Sequence, residues 1–142
     1  MAVLPRLLGR PHVFLYRLTG GILGGRIFGC PVLLLTTTGR KSGKAITVPL
    51  LFVEDGETPG IIASYGGSPT HPAWYLNIQS NPNCLIQIRR RRIAATAESV
   101  QGPERDRLWE KAVQMYPAYA DYQRKTSRRI PIVRLRAFAA SG

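Results

Sequence analysis

The stretch from Val32 to Val53 reads VLLLTTTGRKSGKAITVPLLFV, two apolar and β-branched runs joined by a short polar loop. Residues 32–38 predict a strand that ends at Gly39, and Ala45 to Val53 predicts a second strand. Glycine residues at both ends of the polar loop are typical of a tight connection. The sequence therefore predicts an antiparallel hairpin.

Further strand patterns follow this hairpin along the chain. They cover Gly60 to Tyr65, Cys84 to Arg89, Arg92 to Val100 and Ile130 to Phe138. Two helices interrupt them, His71 to Ser80 and Pro103 to Tyr116, the second with proline in its first turn. Strands predominate, so we expect an α+β, mainly β fold: an antiparallel barrel or curled sheet of about six strands with peripheral helices.

The chain has 142 residues, which suits one compact domain. We expect that domain to cover residues 31–142, after a basic amphipathic segment over residues 1–30. Pro11 to Leu18 predicts a short amphipathic helix. This helix could pack across the end of the core or bind a membrane surface, and the sequence leaves both open.

The formal net charge of +12 indicates a strongly positive surface. Its partner could be nucleic acid, an anionic membrane leaflet or a polyanionic cofactor. Cys30 and Cys84 lie apart, without the spacing of a metal or redox motif, which fits a reducing cytoplasm. The pattern of a secretory signal or a spanning helix is missing, so we expect a cytoplasmic protein.

The loop GRKSGK gathers cations and hydroxyls between its glycines. Such a loop can turn backbone N–H groups and the side chains of Arg40, Lys41, Ser42 and Lys44 toward one anion. It is not a P-loop, because the glycine spacing differs and a strand follows it. A solvated hairpin turn is the alternative, and residue types alone do not choose between the two.

Two other segments carry aromatic and hydroxyl side chains. In SYGGSPTHPAWYLN, residues 64–77, glycines allow close approach of a ligand, and Trp74 and Tyr75 could either wall a flat ring or fill the core. His71 fits a cap or structural contact better than a catalytic base. In YPAYADYQ, residues 116–123, which we expect to end the long helix, tyrosines recur every third position and could wall an apolar substrate or form a mixed core edge.

The sequence shows no nucleophile elbow, metal constellation, dinucleotide fingerprint or close pair of acids. Flat-ring walls and anion grips without such groups suit a cofactor that performs the difficult step itself.

Taken together, TTTGRKSG, SYGGSPTHPAWYLN followed by NP, YPAYADYQ and the IP before the last strand resemble the deazaflavin-dependent nitroreductase family. The match runs from about Pro31 to about Leu135. It implies a split β-barrel related to FMN-binding proteins, and an oxidoreductase that uses the deazaflavin coenzyme F420.

The resemblance also implies roles for individual residues. Those expected to bind the cofactor are Arg40, Lys41, Ser42, Lys44, Pro49, Leu50, Ser64, Tyr65, Ala73, Trp74, Tyr75 and Asn77. Those expected near the reacting groups are Ser64, Tyr116, Tyr119 and Tyr122. Many family members have lysine where this chain has Tyr65, so one cation of the cofactor grip is absent here.

By the same resemblance, the hydride of reduced F420 passes to a small apolar acceptor, a menaquinone-like quinone or a nitroaromatic compound. The basic N-terminal segment is consistent with peripheral contact with an anionic membrane. Nucleic acid is not an expected partner, although Arg89 to Arg92 keeps a non-catalytic basic binding module open as an alternative. An FMN or haem binder on the same barrel is the other alternative.

Overall fold

The computed structural model describes residues 13, 14, 16, 17, 26, 27, 29–56 and 58–138. Residues 13, 14, 16 and 17 have helical backbone. The rest of the predicted helix over Pro11 to Leu18, and most of the segment 1–30, lie outside the described residues. Among the described residues, no helix is both long and apolar enough to cross a membrane.

The chain forms strands first, and its helices lie between them. The strands are β1 (Arg26–Ile27), β2 (Cys30–Thr38), β3 (Ala45–Val53), β4 (Gly60–Ile62), β5 (Asn83–Ile88), β6 (Arg91–Ser99) and β7 (Ile132–Ala137). The helices are α1 (Ala73–Ser80), α2 (Gly102–Met115) and α3 (Ala118–Lys125), and a 3-10 turn covers Tyr65–Gly67.

Six of the strands close into a barrel. The order is β2-β3-β4-β7-β6-β5, every pairing is antiparallel, and β5 pairs back with β2 through Leu35 and Ile86. The short β1 adds to the side of β2. The predicted mainly β barrel of about six antiparallel strands with peripheral helices is confirmed.

Strand β2 is buried on both faces, which explains its uninterrupted apolar run. Leu33 and Leu35 face the barrel interior, where α1 contributes Trp74. Val32 and Leu34 face outward under Tyr16 of the N-terminal helical residues. A separate core lies beneath α2 and α3.

A charged cluster fixes α2 and β7 to the connection between β3 and β4. The Asp55 carboxylate accepts hydrogen bonds from Arg107 (2.8 Å), Lys111 (3.1 Å) and Arg134 (2.9 Å). The Arg107 hydrogen bond leads the contacts that hold the pKa of Asp55 well below its usual range, against the opposing effect of its burial. The cluster lies at the opposite end of β3 from the cationic loop.

Beyond shifts of one or two residues in other element bounds, the structure differs from the sequence predictions at three places. The third strand ends at Ile62 instead of Tyr65, because Tyr65, Gly66 and Gly67 have φ of 43°, 66° and 80° and turn the chain. Helix α1 starts at Ala73, since Pro72 is extended. The tyrosine segment is a separate helix, because Tyr116 is extended before Pro117, as residues before proline generally are.

Candidate functional site

The β2–β3 loop is closed by its own backbone and presents its cations to solvent. The Gly39 N–H donates to the Lys44 carbonyl and the Gly43 N–H to the Gly39 carbonyl, both at 2.8 Å. Gly43 has a φ of 71°, which favours glycine. The Lys44 N–H donates to Ser42 Oγ at 3.2 Å. Every residue from 40 to 46 is exposed.

A buried amide ties this loop to helix α1. Asn77 is 2% exposed, and its Oδ1 accepts hydrogen bonds from the Arg40 backbone N–H (3.2 Å) and the Arg40 guanidinium (3.0 Å). Its Nδ2 donates to Thr37 Oγ1 at 3.2 Å. One side chain therefore orients Arg40 and joins the first and second sequence motifs.

The loop lies in a part of the chain that contains no acidic residue. All eight Asp and Glu residues fall within 54–57 and 98–121, so residues 1–53 and 58–97 contain none. The ion pairs of the described residues involve other cations, namely Arg107, Lys111, Arg124, Arg129, Arg134 and Arg136. The loop can therefore bind an anion without first breaking one of those pairs.

The turn that follows β4, residues 63–71, is held by one arginine; we call it the Ser64 turn. The Arg128 guanidinium donates to the backbone carbonyls of Ala63 (3.1 Å), Ser64 (2.7 Å) and Ser68 (2.8 Å). It also lies 3.1 Å from Nδ1 of His71. Burial, followed by the Arg128 charge, lowers the pKa of His71, so the neutral ring accepts this hydrogen bond and His71 is a structural contact.

The same turn packs against helix α3. A Cβ on Gly67 would lie 2.6 Å from the Tyr122 carbonyl oxygen, so only glycine allows this approach. The turn leaves Ser64 8% exposed and Tyr65 39% exposed. The second and third motifs are thus brought together.

The three tyrosines of the third motif form one cluster. The hydroxyls of Tyr116 and Tyr122 are 2.9 Å apart, and the Tyr119 ring packs edge-on against both other rings. Burial, followed by the hydrogen bond with Tyr116, raises the pKa of Tyr122 to about 12, and burial raises the pKa of Tyr119 as well. Both hydroxyls therefore stay protonated at neutral pH.

The family model described as F420H(2)-dependent quinone reductase matches residues 8–136 of the chain. This chain belongs to that family. An F420H(2)-dependent quinone reductase of Mycobacterium tuberculosis is 42% identical over 128 residues, which cover 87% of this chain and 86% of that protein. The family relationship predicted from the sequence motifs is confirmed. The description of this family specifies an oxidoreductase that uses F420.

Two solved structures resemble this chain, one in family and fold and the other in fold alone. The structure of an F420-H2 dependent reductase, FDR-A, is 44% identical, has a TM-score of 0.69 and covers 74% of this chain and 93% of its own. A haem-binding protein of Mycobacterium smegmatis shares the fold at 19% identity, with a TM-score of 0.60 and coverage of 75% of this chain and 46% of its own. The second likeness concerns the barrel alone.

Among the predicted cofactor residues of this quinone reductase family member, several lie in the core. Trp74 and Tyr75 are each 7% exposed and pack inside the barrel, which is the core alternative for Trp74. The Tyr75 hydroxyl lies 3.3 Å from Ser99 Oγ. Ala73 is exposed at the start of α1.

Pro49 and Leu50 do not present their side chains to the same side. Leu50 packs against the barrel interior, whereas Leu51 packs against the outer clusters. Because side chains alternate along a strand, Pro49 faces outward with Leu51. Any shared contact of the two residues with one ring must involve the β3 backbone.

Tyr119 and Tyr122 are also buried, in the core beneath α2 and α3, and Tyr116 packs against that core while remaining half-buried. This arrangement matches the mixed core edge that the sequence left open. Their predicted roles near the acceptor stay predictions.

Sequence reasoning missed Arg128, the residue that contacts the Ser64 turn most extensively. It follows the tyrosine helix in the run Arg128-Arg129-Ile130-Pro131, of which only the IP pair was used. A charged pair in a connection usually indicates solvent exposure, and nothing local distinguishes Arg128, which reaches into the fold, from Arg129, which does not.

Proposed function

We propose that this protein is an F420H2-dependent oxidoreductase that reduces a small apolar acceptor of the quinone class. The observation that carries the proposal is the Arg40–Asn77 contact. This contact ties the cationic loop to helix α1. The Ser64 turn directly precedes α1 in the chain and packs against the tyrosine helix α3. A grip for an anionic tail and a turn rich in hydroxyl and aromatic groups are thus linked by one helix.

The donor set of the loop fits the tail of F420, which carries a phosphate and an oligoglutamate chain. Phosphate and carboxylate are the anions that a guanidinium binds in a bidentate manner and an ammonium binds as a point charge. Arg40, Lys41 and Ser42 would hold the phosphate, and Lys44 would reach the phosphate or the glutamates. The absence of acidic residues from residues 1–53, the stretch of chain that contains the loop, favours such a polyanion.

When bound, reduced F420 supplies a hydride from C5 of its ring. Ala73, Trp74, Tyr75, Asn77, Pro49 and Leu50 would shape the region that receives the ring, with Trp74 acting through the packing of α1. Ser64 and Tyr65 would meet the ring and the acceptor. The protein contributes alignment and exclusion of water.

The tyrosine cluster would serve the acceptor. A quinone that receives a hydride becomes a quinol anion at one oxygen, and a proton completes the quinol. Neutral phenol groups can donate hydrogen bonds to such an oxygen, and the raised pKa of Tyr122, about 12, keeps its hydroxyl protonated. Tyr116, Tyr119 and Tyr122 are therefore assigned to this side of the site.

Peripheral contact with an anionic membrane would bring the enzyme to a membrane-dissolved quinone. Phe14 is 64% exposed on the helical segment that also carries the exposed Arg17. The hydroxyl of Tyr16 accepts a hydrogen bond from the Arg89 N–H at 2.7 Å, so this segment lies beside the exposed arginine run Arg89 to Arg92, which covers a turn and the start of β6. An apolar ring among cations suits anionic headgroups.

The decisive experiment is a comparative titration of the purified protein with F420 and with FMN, followed by turnover. Reduced F420 and menadione are added, and the return of oxidised deazaflavin absorbance is followed; a nitroimidazole replaces menadione in a parallel reaction. Binding of F420 over FMN with menadione-dependent oxidation supports the proposal, and failure to bind F420 contradicts it. Sedimentation with phosphatidylglycerol vesicles but not phosphatidylcholine vesicles would support the membrane contact.

A further inference from the structure

Arg128 lies between the Ser64 turn and the tyrosine helix α3. It lies in the connection between α3 and β7, is half-buried, and meets three carbonyls and one imidazole of the Ser64 turn. We propose that Arg128 is a positioning residue, which holds Ser64 and Tyr65 in the orientation needed for hydride transfer. This inference rests on the proposed function and names a residue that controls its geometry.

The arrangement requires a guanidinium. Its Nε and both terminal nitrogens donate at once to three separate carbonyls, a fork that the single ammonium of lysine cannot reproduce. Burial lowers the pKa of Arg128, which nevertheless remains charged at neutral pH. The positive group is thus anchored by backbone oxygens rather than by an acid.

The turn needs this support, because its backbone is strained. Tyr65 has a φ of 43°, and left-handed backbone is unfavourable at a residue other than glycine, so it persists only when its surroundings enforce it. The carbonyl of Ser64, directly before Tyr65, accepts from both the Gly67 N–H (2.9 Å) and Arg128 (2.7 Å). This fixed peptide aims the half-exposed Tyr65 side chain.

Arg128 is itself held by the tyrosine helix. The Gln123 amide donates to the Arg128 carbonyl at 2.8 Å and accepts from the Ile130 N–H at 3.0 Å. Gln123 follows Tyr122, which contacts Gly67 of the same turn. The Ser64 turn and the tyrosine cluster are therefore set relative to each other through Arg128.

The test compares Arg128→Lys with two matched substitutions. Arg105→Lys changes a more deeply buried arginine, one that donates to the Ile130 carbonyl in the same connection but belongs to α2. Arg129→Lys changes the exposed neighbour, whose partner is Asp106 at 3.9 Å. For each protein we would measure the unfolding temperature, the Kd for F420, kcat and KM with menadione, and amide hydrogen exchange over residues 63–71.

We expect Arg128→Lys to lower kcat about tenfold or more, since small misplacements of reacting groups carry penalties of this order. The Kd for F420 should change less than about threefold, because the tail is held by the separate β2–β3 loop. Exchange over residues 63–71 should accelerate. Arg105→Lys should lower the unfolding temperature but leave kcat and exchange in the turn near wild type, and Arg129→Lys should change none of these.

The outcomes separate this inference from the function on which it rests. If the wild type is active and Arg128→Lys, like Arg105→Lys, loses stability but keeps kcat near wild type, the inference is overturned and the proposed function is left intact. Unchanged exchange in the turn overturns it as well. Absence of F420H2-dependent quinone reduction in the wild type overturns the proposed function, and this inference with it.

Discussion

Replacing Asn77 with alanine would remove the side chain that orients the cationic loop. Within the described part of the chain, the Asn77 side chain makes three hydrogen bonds, two of them to Arg40 and one to Thr37. Arg40 is exposed and can turn to water, whereas the 3% exposed Thr37 hydroxyl cannot. A stranded buried polar group costs about 1–3 kcal/mol and each net hydrogen bond about 1 kcal/mol, so we expect the free energy of unfolding to fall by about 2–3 kcal/mol.

The effect on F420 binding follows from Arg40. A well-placed hydrogen bond between charged groups contributes about 1.5–3 kcal/mol, or roughly ten- to hundredfold in Kd. Lys41 and Lys44 remain in place, so we expect the lower end, about a tenfold weaker Kd by fluorescence titration. Urea unfolding of the same samples gives the stability.

Two controls test whether Asn77 affects F420 binding through Arg40. Thr37→Val removes the Thr37 contact but keeps both contacts of Asn77 with Arg40, so it should reduce stability while leaving the Kd within about twofold. In a double-mutant cycle, Asn77→Ala should weaken binding little further once Arg40 is alanine. Additive losses in that cycle would show that Asn77 does not act through Arg40.

Three other substitutions test the remaining assignments. Lys41→Ala should weaken F420 binding about tenfold and reduce its salt dependence, because one charge contact to the tail is lost; a Kd within twofold of wild type in titrations at two salt concentrations would remove Lys41 from the grip. Tyr122→Phe should lower kcat with menadione while the Kd for F420 stays within about twofold, since the hydroxyl is paired with Tyr116 rather than with the loop; equal loss of affinity in both variants would contradict the division of roles. Asp55→Asn should lower the free energy of unfolding at pH 7 by about 2–3 kcal/mol, less than for a fully buried ion pair because Arg107 and Lys111 are about half exposed. Since the folded pKa of Asp55 is depressed, its contribution is present above the unfolded pKa near 4 and is lost as the pH falls toward the folded value. The difference between wild type and variant in urea unfolding should therefore shrink below about pH 4, and a constant difference at all pH values would refute the ionic origin.

Much of the barrel could be predicted because its strands carry local signals. The hairpin of β2 and β3 is specified by β-branched and apolar runs around a glycine-containing loop, and the Ala45–Val53 bounds match the prediction. Closure through Leu35 and Ile86 joins residues 51 positions apart, and no local pattern encodes such a pairing. The family motifs supplied that information indirectly.

The site was predictable in its motifs and less so in its contacts. The cationic loop is exposed, as an anion grip must be, and a count of charged residues finds it. Trp74 shows the limit, since an aromatic side chain in the first turn of a helix fits a ring wall or the core equally well, and its environment decides between them. Arg128 shows a related limit. Three of its partners are backbone carbonyls, which every residue has, so no sequence pattern marks them.

Under the proposed function, a cationic loop in an acid-free stretch of chain has a consequence for the rate of the chemical step. A tail held by Arg40, Lys41 and Lys44 has the same charge before and after its ring gives up a hydride, so these contacts bind both redox forms alike. Uniform binding of this kind lowers the concentration at which the enzyme saturates but does not speed the chemical step. Under the proposed function, the contacts that favour the transition state are then those of the Ser64 turn, Arg128 and the tyrosine helix rather than those of the loop.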